Sequence, residues 1–296
     1  MIDLFCQDIN FFQSLHFKEF INPSFLVFND CQTLFINDRQ IAIQYGSINT
    51  FRIGYKNFYP KKNSGLSIFF NNELHKMINA LNTEISYVYR VNLSSNFKIV
   101  PGLIFVYAQR TYDFQNMIFP SMLGTFGVEE QINPISLPIR DNISIGLDFS
   151  LAFLIRHFYI AFRGNNIVNY YLANGSMDKK KVYSFIIGYD SYLKGERKNS
   201  LIFIIKKLES DLEVSYSFNW FVSKTFSFTT SINLWNFQAG LLSLTGIYKS
   251  RRVSWLFSYG MSVGKVGFSI YEMGLIYEIN CKNQRKNTIK CPAYQF

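Results

Sequence analysis

The sequence predicts an all-β fold, a transmembrane antiparallel β-barrel of about fourteen strands in an outer membrane. Three observations predict it. Aromatic residues make up 18% of the chain while mean hydropathy stays at +0.04. No apolar run approaches the roughly 18 residues that a membrane-spanning helix needs. Apolar and polar residues alternate with period two over most of the chain, the pattern of successive side chains facing opposite sides of a sheet.

The composition follows from that architecture. A soluble domain hides its aromatics in one core, whereas a membrane barrel turns them outward and balances them with polar residues on the lumen face. The 31 Phe and 19 Tyr within a 48% hydrophobic chain suit the second arrangement. The net charge of +10 is scattered along the sequence over expected turns. Phosphate contacts need clustered charge, so nucleic acid is not an expected partner. Lipopolysaccharide phosphates, outer-membrane lipid or periplasmic partners account for the cations instead.

The alternation is clearest in the second half of the chain. Leu212, Val214, Tyr216, Phe218 and Trp220 oppose Glu213, Ser215, Ser217 and Asn219. Phe226, Phe228, Ile232 and Leu234 then oppose Ser227, Thr229, Ser231 and Asn233. Val253, Trp255, Phe257, Tyr259 and Met261 alternate with Ser254, Ser258 and Gly260, with Leu256 intruding. Tyr271, Met273, Leu275, Tyr277 and Ile279 oppose Glu272, Gly274, Glu278 and Asn280. Strand centres are expected near Ile43, Ile53, Ile68, Tyr87, Leu103, Leu147, Tyr159, Phe185, Phe203, Val214, Thr229, Leu244, Phe257 and Leu275.

Turn lengths check the register, because such barrels have short periplasmic turns and longer outer loops. With the first strand running outward, the tight connections at Ser94-Ser95-Asn96, Arg156-His157, Ser223-Lys224 and Ser250-Arg251 are periplasmic, with 193–199 somewhat longer. The longest connections, 111–141 and 164–181, fall on the outer side. Pro120, Pro134 and Pro138 exclude regular pairing over much of the first.

Three regions are expected: an irregular, plug-like N-terminal segment over 1–38, a barrel over 39–281 and a basic periplasmic tail over 282–296. The first carries Phe11, Phe12, Phe17, Phe20, Pro23, Phe25 and Phe28 without alternation. Irregular backbone cannot face lipid, so its place is the lumen, with a peripheral periplasmic position as the alternative. Residues 1–6 are too short for a whole signal peptide and are compatible with the remnant of one.

No catalytic site, cofactor or metal is expected, and the chain is not read as an enzyme. Cys6, Cys31, Cys281 and Cys291 lack metal-ligand spacing, although Cys281 and Cys291 could close a small loop in an oxidising compartment. Of His16, His75 and His157, only His75 lies where a hydrolase would use it, and no serine motif or carboxylate pair accompanies it. Glu84, Asp148, Glu213, Glu272 and Glu278, with Lys98, Arg110, Arg156 and Lys206, read as lumen charges that pair internally. Strand glycines, among them Gly54, Gly102 and Gly188, read as sites of close packing against a plug or of strand curvature. Tyr55, Tyr107, Trp220, Trp235 and Tyr248 read as interfacial girdle residues.

The run Gln7-Asp8-Ile9-Asn10-Phe11-Phe12-Gln13, followed by Phe20-Ile21-Asn22-Pro23-Ser24-Phe25, resembles the start of mature PorP/SprF proteins. The end resembles that family too, through Tyr277-Glu278-Ile279-Asn280, Arg285, Thr288-Ile289-Lys290-Cys291-Pro292 and Phe296. Between them, Ile143-Ser144-Ile145-Gly146-Leu147-Asp148 and His157-Phe158-Tyr159-Ile160-Ala161-Phe162 resemble its middle hairpin. Ile9 stands where the family usually has Pro, and Ser24 where it usually has Ala. The resemblance implies a non-catalytic outer-membrane component of the type IX secretion and gliding machinery of Bacteroidota, which supports export or anchoring of a surface protein such as an adhesin. It implies secretion components and a secreted surface protein as partners. The candidate contact residues are then Asn22, Pro23, Lys282, Arg285, Lys286, Lys290, Cys291 and Pro292. The alternative is an outer-membrane channel or transporter for small apolar or anionic solutes.

Overall fold

The computed structural model describes residues 18–28, 31–43, 46–75, 78–112, 123–124, 127–128, 140–172, 181–193, 196–208, 211–236, 239–263 and 267–279. A short helix α1 (Lys18–Ile21) and a 3-10 turn (Pro23–Phe28) precede the strands. Fourteen long strands follow: β1 (Gln32–Ile43), β2 (Gly46–Tyr59), β3 (Ser64–His75), β4 (Ile78–Tyr89) and β5 (Phe97–Tyr112). Next come β6 (Arg140–Ile155), β7 (Phe158–Tyr171), β8 (Val182–Leu193), β9 (Glu196–Leu208) and β10 (Asp211–Phe221). The set ends with β11 (Phe226–Trp235), β12 (Ala239–Ser250), β13 (Val253–Val263) and β14 (Ser269–Ile279).

Each strand pairs antiparallel with its sequence neighbours, and β1 pairs with β14 from Gln32↔Ile279 to Ala42↔Ser269, so the sheet closes on itself. Closure removes the exposed edges that would otherwise invite aggregation. The two-residue strand Val91–Asn92 also pairs with β5. All fourteen expected centres lie in strands.

The outward face is apolar and the inward face differs around the wall. On β6 the outward residues Ile143, Ile145, Leu147, Phe149, Leu151, Phe153 and Ile155 are all apolar. On β13, Trp255, Phe257, Tyr259 and Met261 are exposed while Ser254, Leu256, Ser258 and Gly260 between them are buried. Leu256 is thus an inward residue, packed with Phe35, Phe69 and Ile247. Trp235 is a correction to the expected girdle. It packs against the buried cluster Ile41, Ile48, Leu241 and Ile270, whereas Trp220 and Tyr248 face outward as expected.

Three strand limits differ from the sequence expectation, each for a local reason. β1 begins at Gln32, within the region expected to be irregular, and Ile43 is its last residue rather than its centre. Its buried residues Thr33, Phe35, Asn37, Arg39 and Ile41 mix apolar and polar types, so no contrast between faces marked it. β7 continues past Gly164 to Tyr171, because a bulge between Gly164 and Val168 absorbs extra residues before pairing with β6 resumes. Asn166 at that bulge adopts φ 58°, and its N–H donates to Asp148 Oδ1 at 2.7 Å. The connection expected over 193–199 closes as a hairpin with Leu193 paired to Glu196.

Candidate functional site in the lumen

Residues 18–28 touch inward-facing side chains on many strands, which places this segment inside the barrel. Lys18 Nζ donates to Tyr159 Oη at 2.9 Å and to the Asp190 carboxylate at 3.3 Å, reaching β7 and β8. Glu19 accepts from Lys56 on β2. Asn22 Nδ2 donates to the Phe162 carbonyl at 2.9 Å, while Arg163 Nη1 donates to the Phe20 carbonyl at 2.9 Å. Ser24 Oγ bonds Ser150 Oγ on β6 at 2.9 Å. The contacts lie in the half of the barrel nearer its two chain ends. Of the segment expected to be plug-like, residues 1–17 and 29–30 lie outside the described residues, and Gln32–Asp38 belong to β1.

Apolar packing accompanies these polar contacts. Phe25, Leu26 and Val27 cluster with Phe58, Val88, Val100, Ala152, Leu154, Ile186, Ile202 and Ile204, all from inward positions on β2 and β4 to β9. Phe25 meets Tyr159 edge-on with ring centroids 5.2 Å apart. Phe20 sits edge-on to both Phe35 and Phe69, at 4.5 and 4.9 Å.

Two glycines make room for this packing. Gly188 lies directly opposite Tyr159 across β7 and β8, and the tyrosine ring occupies the space a side chain would need. Gly54 does the same beneath Phe35 and Phe69. Aromatic rings laid over cross-strand glycines pin register. Gly188→Val is therefore expected to displace Tyr159 from Lys18 and lower stability by about 1–3 kcal/mol, measurable by denaturant unfolding of the protein in vesicles.

Five of the nine strand charges expected to pair internally do so, whereas Arg110 and Arg156 are exposed and Arg156 lies in the turn between β6 and β7. Arg163 Nη2 lies 3.1 Å from Glu84 and 3.8 Å from Asp148. Lys206 reaches Glu213 at 3.8 Å, and Lys249 reaches Glu278 at 2.7 Å. Ser200 Oγ adds a hydrogen bond to Asp190 at 2.5 Å, completing a buried site around the Lys18 ammonium.

The opposite wall is built differently. Ser215, Ser217, Ser227, Thr229, Ser231, Ser243, Thr245, Ser254 and Ser258 all point inward from β10 to β13. Among the described residues, no hydrogen bond joins residues 18–28 to this hydroxyl-rich wall.

The residues singled out in the sequence are distributed unevenly. Asn22 and Pro23 are buried. Asn22 Oδ1 accepts from Ser24 N at 2.9 Å and Pro23 opens the 3-10 turn, so both hold the segment's shape and neither presents a surface. Lys282, Arg285, Lys286, Lys290, Cys291 and Pro292 lie outside the described residues, as do His16 and the expected Cys281–Cys291 loop. Cys31 is disulfide-bonded. His75 ends β3 opposite Ile78, and no hydrogen bond among the described residues links it to a nucleophile. No cluster of His, Cys, Asp and Glu able to hold a metal occurs among the described residues. Sequence reasoning missed Lys18, Glu19, Lys56 and Asp190, whose pairing joins residues up to 172 positions apart.

Comparison with solved structures supports the architecture. The chain is similar to the CymD monoaromatic hydrocarbon channel, with TM-score 0.54 and 11% identity over 90% of this chain and 92% of that one. It is similar to the Pseudomonas putida toluene transporter TodX, with TM-score 0.53 and 8% identity over 88% and 92% of the two chains. A Pseudomonas aeruginosa FadL homologue gives TM-score 0.51 and 9% identity over 87% and 92%. At such identities the likeness concerns the fold. No curated protein matches. The family model for the type IX secretion system membrane protein PorP/SprF matches residues 4–286, nearly the whole length. With its barrel architecture, that match makes the chain an outer-membrane protein of the secretion-system type. The chain belongs to the PorP/SprF family of type IX secretion system membrane proteins.

Proposed function

We propose that this protein is a non-catalytic assembly component of the type IX secretion and gliding machinery, supporting export or surface anchoring of a cargo protein such as an adhesin. The observation that carries the reading is the family match across residues 4–286. The lumen contacts of residues 18–28 fit it, because a partly filled interior suits a barrel that works through its rims and loops. Deleting the gene is expected to abolish display of at least one surface protein while leaving general envelope integrity intact, as read by surface proteomics of the deletion strain. Unchanged export of every type IX cargo would overturn the reading.

The second reading, a channel for small apolar or anionic solutes, draws on the hydroxyl-rich wall of β10 to β13. Planar-bilayer conductance of the intact protein separates the two, since a plugged assembly barrel conducts little.

A further inference from the structure

The cations that are dispersed in sequence converge in space. The six connections at the end of the barrel where Gln32 and Ile279 lie are 60–63, 90–96, 156–157, 194–195, 222–225 and 251–252. Together they hold eight Lys or Arg and no carboxylate. The seven connections at the other end hold five of each sign. The connections of this rim thus sum to +8 while those of the opposite end sum to zero.

Backbone geometry at this rim favours charge over comfort. Among the described residues, five that are not glycine adopt positive φ, and three of them are Asn, which tolerates that region. The other two are Arg156 at φ 50° and Arg251 at φ 46°, both in two-residue connections where Asn-Gly would relieve strain. Lys61, Lys62, Arg156, Lys224 and Arg251 are exposed, and Arg252 is half-buried.

We propose that this rim is a docking surface for the acidic face of a periplasmic protein that caps the barrel mouth. An annulus of anionic phospholipid is the competing occupant. Exposed Tyr59, Tyr89, Phe158, Phe226 and Tyr248 at the adjoining strand ends already occupy the interfacial depth that aromatic girdles take. The turn cations lie beyond them, on the aqueous side. The proposal needs only the barrel and its charge distribution, so it stands or falls apart from the secretion role.

The test uses full-length protein in phosphatidylcholine nanodiscs with poly-L-glutamate as probe, and a photo-cross-linking residue at exposed Ser95 in cells. The quadruple variant Arg156→Glu, Lys224→Glu, Arg251→Glu, Arg252→Glu is expected to weaken polyglutamate binding about tenfold or more, in a salt-dependent way. It should also erase a discrete protein adduct at Ser95. The opposite-end control Lys179→Glu, Lys180→Glu, Lys181→Glu should change neither. Arg156→Asn with Arg251→Asn should raise the unfolding midpoint while still weakening binding, an outcome that a purely structural role for these arginines would not give. Heat-modified gel mobility reports that each variant is folded. Loss of binding when phosphatidylglycerol replaces phosphatidylcholine, or an adduct that survives charge reversal, would overturn the proposal.

Discussion

Lys56→Met is expected to destabilise the folded barrel by about 3–5 kcal/mol, because it strands the Glu19 carboxylate inside the lumen without its ammonium partner. Both side chains are nearly inaccessible, at 7% and 5% exposure, so water cannot replace the lost contact where they sit. The double change Lys56→Met with Glu19→Leu should recover most of the loss, since a buried ion pair exchanged for apolar groups of similar volume is often close to neutral. Denaturant unfolding in vesicles measures both. Conductance adds a second readout: the single variant should raise the frequency of channel openings by loosening α1 from β2, while the double variant should return to the quiet wild-type trace. Equal stability of wild type and Lys56→Met would mean that this pair does not anchor the segment.

Phe257→Arg carries the second large effect and tests the membrane-facing surface. Phe257 is outward near the middle of β13 and 51% exposed, so an arginine there faces hydrocarbon and should cost about 2–4 kcal/mol. Val263→Arg occupies the same face of the same strand at its last residue, where the expected cost falls to about 0–1 kcal/mol. The difference between the two is the informative quantity, since both remove an apolar side chain and add the same charge. Equal costs would place this wall outside the bilayer.

The fold was legible where the two faces of a strand meet different solvents. On β10, Glu213, Ser215, Ser217 and Asn219 face inward and Leu212, Val214, Tyr216, Phe218 and Trp220 outward, so the barrel register can be read directly from residue type. On β9 the run Leu201-Ile202-Phe203-Ile204-Ile205 shows no alternation, because Ile202 and Ile204 pack into the cluster formed with residues 18–28. The same cause hid β1, whose Phe35 lies under Phe20. The candidate site was legible only in part. A buried aromatic N-terminal stretch announces itself by composition, but which side chains anchor it depends on contacts such as Lys18 with Asp190 that only closure of the sheet creates. The burial of Asn22 and Pro23 was hidden for a related reason, since an Asn-Pro pair looks the same on an exposed loop as in a buried turn. The rim charge escaped because turns far apart in sequence become neighbours only around a ring.

The position of the lumen segment directly before β1 couples the filling of the interior to the closure of the sheet. β1 is both the strand that follows residues 18–28 and the strand that seals the cylinder against β14. The inward faces of β10 and β11 are mostly polar, while Leu241, Ile247, Leu256 and Ile270 on β12 to β14 pack with Phe35, Ile41 and Ile48 on β1 and β2. Strands β2 and β4 to β9 present apolar residues to the interior, where Phe25, Leu26 and Val27 pack against them. The chain thus carries a wedge of its own interior packing immediately next to the strand that closes the cylinder.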